Sequence, residues 1–93
     1  MCNTRVQFQW NTWNVEHVEK HGITPGHAEF IVEHARRPFP EMIGDGKRYV
    51  AGQTAAGVYI QVIYILGSDG TVFIIHSRPL DDQEKRKFRR RIK

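Results

Sequence analysis

A single cysteine, Cys2, stands in the 93 residues, so neither an internal disulfide nor a cysteine-based zinc site can form. Long apolar runs are missing too. Val58–Leu66 is the longest, and it contains Gln61 and two tyrosines, whereas a membrane-spanning helix needs about 20 apolar residues. The first five residues, Met-Cys-Asn-Thr-Arg, lack the apolar core of a secretory signal. These absences predict a cytosolic protein with no membrane contact. Phosphate-cradling Gly-x-x-x-x-Gly-Lys and Gly-x-Gly-x-x-Gly motifs do not occur, nor does Gly-x-Ser-x-Gly, which removes the common nucleotide-binding and serine-hydrolase signatures. Cys2 lies on a terminus too loose to serve as a nucleophile.

With 40% hydrophobic and 11% aromatic residues, the chain has the composition of one folded domain spanning residues 1–93. A chain this short buries only about 60–65% of its unfolded surface, so its stability margin is thin. The net charge of +4 is unevenly placed. Residues 1–80 are neutral, and the excess sits in the last thirteen, where Asp81, Asp82 and Glu84 face Lys85, Arg86, Lys87, Arg89, Arg90, Arg91 and Lys93. A cluster of this kind attracts polyanions by releasing their counterions, and RNA or DNA is the obvious candidate. Preference of cations for the C-terminal end of a helix accounts for two or three of the seven. An acidic protein partner would use the same charges.

The element order reads β-α-α-β-β-β-α. Val6, Phe8 and Trp10 alternate with Arg5, Gln7 and Gln9, the period of a half-buried strand. Asn11 or Asn14 caps a short helix through Val15–His21, which stops at Gly22 with Ile23 folded back on it. Thr24-Pro25 opens a second helix whose apolar face is Ala28, Ile31, Val32 and Ala35. Residues 38–46 read as a loop ending in Gly44-Asp45-Gly46. Strands follow over Lys47–Thr54, Val58–Leu66 and Thr71–Ser77, joined by turns at Ala55–Gly57 and Gly67–Gly70. The second of these is apolar on both faces and so belongs in the middle of the sheet. Asp81, with Glu84 three residues on, starts a basic helix over 81–93. The fold class expected is α+β, an antiparallel sheet with helices packed on one face.

Five histidines raise the question of a metal. His17 and His21 are spaced i, i+4 as zinc ligands sometimes are, but Gly22 follows at once and no third ligand is near in sequence. No metal or cofactor is expected; His17 reads as a packing residue and His34 as a solvated one. What remains is acid–base chemistry with histidine and cations, which suffices to cleave RNA. A base takes the 2′-hydroxyl proton, cations steady the phosphorane, and an acid protonates the leaving 5′-oxygen. Histidine suits both proton roles, and arginine's planar fork suits phosphate. Two places carry such groups: Lys20-His21-Gly22, and His76-Ser77-Arg78. His76 and Arg78 differ by two and share a face of the sheet. Arg48 is expected to approach them from a neighbouring strand. The plain alternative is that each is a surface charge or a capping histidine.

Taken in order, Phe8-x-Trp10, His17-x-x-Lys20-His21-Gly22-Ile23, the second helix, Gly46-Lys47-Arg48-Tyr49, Ile74-Ile75-x-x-Arg78 and the charged helix near Glu84 resemble the BrnT-type toxins. These are distant relatives of the RelE and ParE toxins of bacterial type II toxin–antitoxin systems. The likeness runs from Phe8 to Arg91. It implies a RelE-like fold, a metal-independent endoribonuclease activity that arrests translation, and a small antitoxin partner that covers the basic surface in a hetero-oligomer. Lys20, His21, Arg48 and Arg78 match family positions. Chemistry assigns His21 as acid or base, Arg48 and Arg78 as transition-state stabilisers, and Lys20 with Lys85, Arg86, Arg89, Arg90 and Arg91 as RNA contacts. The chain departs from the family in Trp10-Asn11-Thr12 for Trp-Asp-Pro, in His17 for Asn, in His27 for the cap-box Glu, and in His76 for Ser. His76 is thus either a gained catalytic group or an incidental one. A non-catalytic nucleic-acid-binding module and a protein-interaction domain are the competing functions.

Overall fold

Asn11, Thr24 and Asp81 begin the three helices. Each accepts a hydrogen bond from the backbone N–H three residues on, Asn14 at 3.1 Å, His27 at 3.1 Å and Glu84 at 2.8 Å, which satisfies one of the orphan donors of a first turn. Two of the caps are reciprocal, because Asn14 and Glu84 accept in return from the N–H of Asn11 and Asp81. The structure, a computed structural model, describes residues 6–92. Its elements are α1 (Thr12–Glu19), α2 (Pro25–Glu33), β1 (Glu41–Gly44), β2 (Lys47–Gln53), β3 (Tyr59–Leu66), β4 (Val72–Pro79) and α3 (Asp82–Arg91). Arg5, Cys2 and Lys93, named above, lie outside the described residues. Among those described, no helix is long and apolar enough to cross a membrane.

The four strands form an antiparallel meander in the order β1-β2-β3-β4. β3 lies inside the sheet, as its two apolar faces require. The observed order, α-α-β-β-β-β-α, corrects the expected one at two points. The segment around Phe8 makes only a parallel bridge to Val72, through Gln9 N to Val72 O and Val72 N to Gln7 O. The alternation holds for Phe8 and Trp10, which pack on the core while Gln7 and Gln9 stay exposed, but Val6, expected on the inward side, is exposed as well. No strand extends from it because Asn11 starts α1 directly after Trp10. The second correction is β1, which stands in the segment read as a loop. Asp45 and Gly46 connect it to β2 with φ of 54° and 74°, a two-residue turn whose positive dihedrals match strand twist.

The helices occupy both faces of the sheet, not one. A side chain on Gly52 would meet Ile31 of α2 at 3.3 Å, so α2 lies against the face that carries Val50 and Gly52. Tyr59 and Ala51 point the other way by strand alternation, and there Tyr59 meets Phe88 of α3, ring centroids 5.9 Å apart. On the first face Val18, Ile23, Ala28 and Ile31 close over Val50, Ile60, Val62 and Ile74, all buried. On the second, Phe39 and Leu80 join Phe88, the one buried residue of α3. Apart from Gln83 the other residues of α3 are all charged, so Phe88 supplies its buried apolar contact.

α1 ends as its sequence requires. Gly22 is left-handed (φ 79°) and the N–H of Ile23 reaches the carbonyl of Val18 at 3.2 Å. Ile23 is buried against the helix it terminates. This stop projects Lys20 and His21 outward at the edge of the sheet, beside β4.

Candidate active site

α1 lies along β4, the last strand, and both run in the same direction past each other. Two ring contacts tie them. Trp13 stacks near Phe73 (centroids 6.0 Å, planes 11° apart) and His21 meets His76 edge-on (5.8 Å, 67°). His17 completes the row on α1, its ring 4.0 Å from that of Trp13 and its Nδ1 at 2.8 Å from the Trp13 carbonyl. The i, i+4 spacing puts Trp13 and His17 on one side of α1, and the turn that ends the helix carries His21 beyond them. Asn14 and Val18 point inward instead and are fully buried, Asn14 donating to the Gln9 carbonyl at 3.0 Å.

The structure therefore brings together His21 and His76, which are 55 positions apart in sequence. His21 is exposed and His76 half-buried. Burial holds the His76 imidazole below the ordinary histidine range, and the nearby His21, Arg78 and His17 push the same way. A second cation so close would repel the first, so protonating His76 is disfavoured. At neutral pH one member of the pair is thereby kept as a free base. Lys20, exposed one residue before His21, is the cation with an open side chain at this edge. Among the described residues no group of three His, Cys, Asp or Glu side chains is disposed to hold a metal ion.

The arginines are divided. Arg78 donates both guanidinium nitrogens to Glu84, at 3.0 and 2.7 Å, and one also to the Pro79 carbonyl. Gln61, buried beneath, is best satisfied with its amide oxygen toward Arg78 Nε (3.0 Å) and its NH₂ toward the Tyr49 hydroxyl (2.9 Å), since the reverse sets donors against donors. Arg78 thus joins β4 to the first turn of α3. The pairing raises the arginine pKa further and, with the Asp81 N–H, lowers that of Glu84. Arg48 does not approach. β3 lies between its strand and β4, and alternation places Arg48 with Val50 on the α2 face while Arg78 sits over Gln61 on the α3 face. Arg48 stands beside Tyr64, its cross-strand neighbour, with a buried Nε that has no hydrogen-bond partner among the described residues.

The Arg78 arrangement leads to an expected outcome for Arg78→Ala. Charged hydrogen bonds contribute about 1.5–3 kcal/mol each when well shielded. About a third of each partner here meets solvent, which reduces the total to about 1–2 kcal/mol. Thermal unfolding should shift down by about 5–15 °C, and circular dichroism of the variant checks it. The Glu84 carboxylate, with its lowered pKa, should lose this contribution only as pH falls through and below the ordinary glutamate range.

The tail cations are partly committed. Lys85 and Arg89 flank the Tyr59 ring at 5.7 and 5.8 Å, and Lys85 pairs loosely with Asp82 at 3.8 Å. Arg91 pairs with Glu41 and lies 5.2 Å over Phe39. Arg86 and Arg90 are exposed and have no ion-pair partner among the described residues. A cavity of about 270 Å³ lies under α3, lined by Phe39, Glu41, Tyr49, Glu84, Phe88 and Arg91 among others. None of the histidines lines it, and its two carboxylates disfavour a phosphate.

Sequence reasoning missed Trp13 and Phe73 at the histidine edge, and it missed Glu84 as the partner of Arg78. The i, i+4 spacing of Trp13, His17 and His21 was a usable signal; the Glu84 contact had none beyond the cap it also forms. Compared with known proteins, the chain matches no family model, no curated protein and no solved structure.

Proposed function

We propose that this chain is a metal-independent endoribonuclease, the toxin of a bacterial type II toxin–antitoxin system acting in the cytoplasm, with a RelE-like fold and a small antitoxin as partner. The toxin assignment rests on the sequence resemblance to BrnT-type proteins. The chemistry rests on one observation, the His21–His76 pair at an open edge of the sheet. The phosphate would sit against the open side of the pair, within reach of a nitrogen of each ring. His76, held neutral, takes the proton from the 2′-hydroxyl, whose oxygen attacks phosphorus. The bond from phosphorus to the 5′-oxygen breaks as His21 delivers a proton to that oxygen. The products are a 2′,3′-cyclic phosphate and a free 5′-hydroxyl. Lys20 supplies positive charge to the phosphorane, and Arg86 and Arg90 hold flanking phosphates.

A second reading has a specific observation behind it. Because Glu84 occupies both guanidinium nitrogens of Arg78, that arginine is a clamp, as it would be in a nucleic-acid binder without catalysis. The pH dependence separates the two. For a base with a lowered pKa, the acid limb of kcat/KM should lie below the ordinary histidine value of about 6.5, because activity is lost only once His76 is protonated. Initial rates on a fluorogenic RNA between pH 4.5 and 9 measure that limb. No cleavage at any pH, with RNA bound, supports the binder.

A further inference from the structure

We infer that Trp13, backed by Phe73, is a stacking subsite for an unpaired base of the RNA whose phosphate lies at the His21–His76 pair. The inference rests on the nuclease reading for the phosphate's position, though the subsite itself requires only that RNA binds. Trp13 is nearly half exposed, at 48%, while the residues of α1 that hold the helix down are Asn14 and Val18. A large aromatic left in water at that position contributes little to the core. It is not floppy, however. The His17 ring lies against it and Phe73 runs almost parallel at 6.0 Å, so its orientation is fixed before any ligand arrives. The part of the indole that His17 and Phe73 leave in water is held rigid, and a rigid aromatic surface is what a splayed-out base stacks on, in any sequence, because every base has a π-face.

The position relative to the histidines supports this. α1 rises about 1.5 Å per residue and β4 about 3.3 Å. The span is therefore about 12 Å from Trp13 to His21 along α1 and the turn that ends it, and roughly 7 Å from Phe73 to His76, where a bulge leaves only the two register steps from Ile65 to Ile63 on β3. The two ring pairs thus form successive rungs of one strip, at a separation of the order of a dinucleotide. A strand lying along that strip would set one base on Trp13 with its neighbouring phosphate at the histidine pair. A paired base cannot reach the indole, so the subsite selects single-stranded RNA.

The test uses the full chain and a short 2′-O-methyl RNA, which binds but cannot be cleaved, alongside the same sequence as a duplex. Trp13→Leu keeps an apolar cover over Phe73 without the extended π-face, and Trp13→Phe restores an aromatic ring; thermal unfolding confirms that both fold. Fluorescence anisotropy should show affinity for the single strand falling roughly 5- to 150-fold in Trp13→Leu, largely recovered in Trp13→Phe, with duplex affinity unchanged in both. Equal affinity of wild type and Trp13→Leu for the single strand would overturn the subsite, even if the wild type cleaves unmodified RNA. The expected loss in Trp13→Leu without any cleavage by wild type would overturn the nuclease reading and leave the subsite standing. Absence of single-strand binding by the wild type would overturn both.

Discussion

Alanine at either His21 or His76 is expected to lower the rate of RNA cleavage by about 100- to 10,000-fold, the usual contribution of a positioned acid or base. RNA affinity should stay close to that of the wild type, because the phosphate contacts come from Lys20 and the α3 cations. Loss in kcat with little change in KM is the signature of groups that act only in the transition state. The double variant should be scarcely worse than the poorer single one, since the two rings serve one concerted proton transfer and their effects do not add. His21 is exposed, so its replacement carries no packing penalty to confuse the measurement. His76 is half-buried, and His76→Gln, which keeps size and polarity without a titrating ring, is the control for folding. The acid limb of the pH profile assigns the base: it should disappear from the residual activity of His76→Gln.

Phe88→Ala should produce the largest loss of stability. Truncating a buried phenylalanine costs about 3–5 kcal/mol, against a total of about 5–15 kcal/mol for an ordinary domain. In this chain the ring has few substitutes. Phe88 contacts Phe39 at 6.0 Å and Tyr59 at 5.9 Å and is the only buried side chain of α3. The other ties of that helix are the Arg78–Glu84 and Arg91–Glu41 ion pairs and the cations over Tyr59, all at least partly exposed and individually weak. A fall in the unfolding temperature on the order of 15–30 °C is expected. Phe88→Leu, which retains an apolar plug, should lose well under half of that. Equal losses in the two would mean that α3 is held by its charges and not by its ring.

The sequence revealed the helix starts, the hairpin meander and the interior strand, because those depend on local chemistry. Asn11, Thr24 and Asp81 cap wherever they stand, Gly22 ends a helix wherever it falls, and β3 is apolar on both faces because it is covered on both faces. The errors came where a local pattern met a tertiary constraint. Val6-x-Phe8-x-Trp10 has strand alternation, but a helix cap placed one residue later leaves room for a single bridge. Glu41–Gly44 has no alternation of its own and becomes a strand only because the Asp45-Gly46 turn folds it back on β2.

For the candidate site, the sequence pointed to Lys20-His21 and to His76 separately, and the packing of α1 on β4 joined them. It also suggested that Arg48 and Arg78 converge. A meander places β3 between their strands, and the residue alternation then puts them on opposite faces. No count along the chain could show that Glu84 accepts both nitrogens of Arg78, because that contact depends on where α3 leaves the sheet. An indole beside a capping residue reads as packing in the sequence, and the 48% exposure of Trp13 is legible only in the fold. The basic tail was read correctly as the seat of the net charge, but Arg91 and Lys85 are partly engaged within the fold.

The most direct measurement is incubation of the purified protein with a labelled single-stranded RNA in EDTA, in parallel with the His21→Ala, His76→Gln double variant. Wild-type cleavage leaving 2′,3′-cyclic phosphate ends, absent in a folded double variant that still binds the RNA, is the expected result. Cleavage by the double variant at the wild-type rate, or intact RNA bound equally by both proteins, would contradict a histidine-pair nuclease.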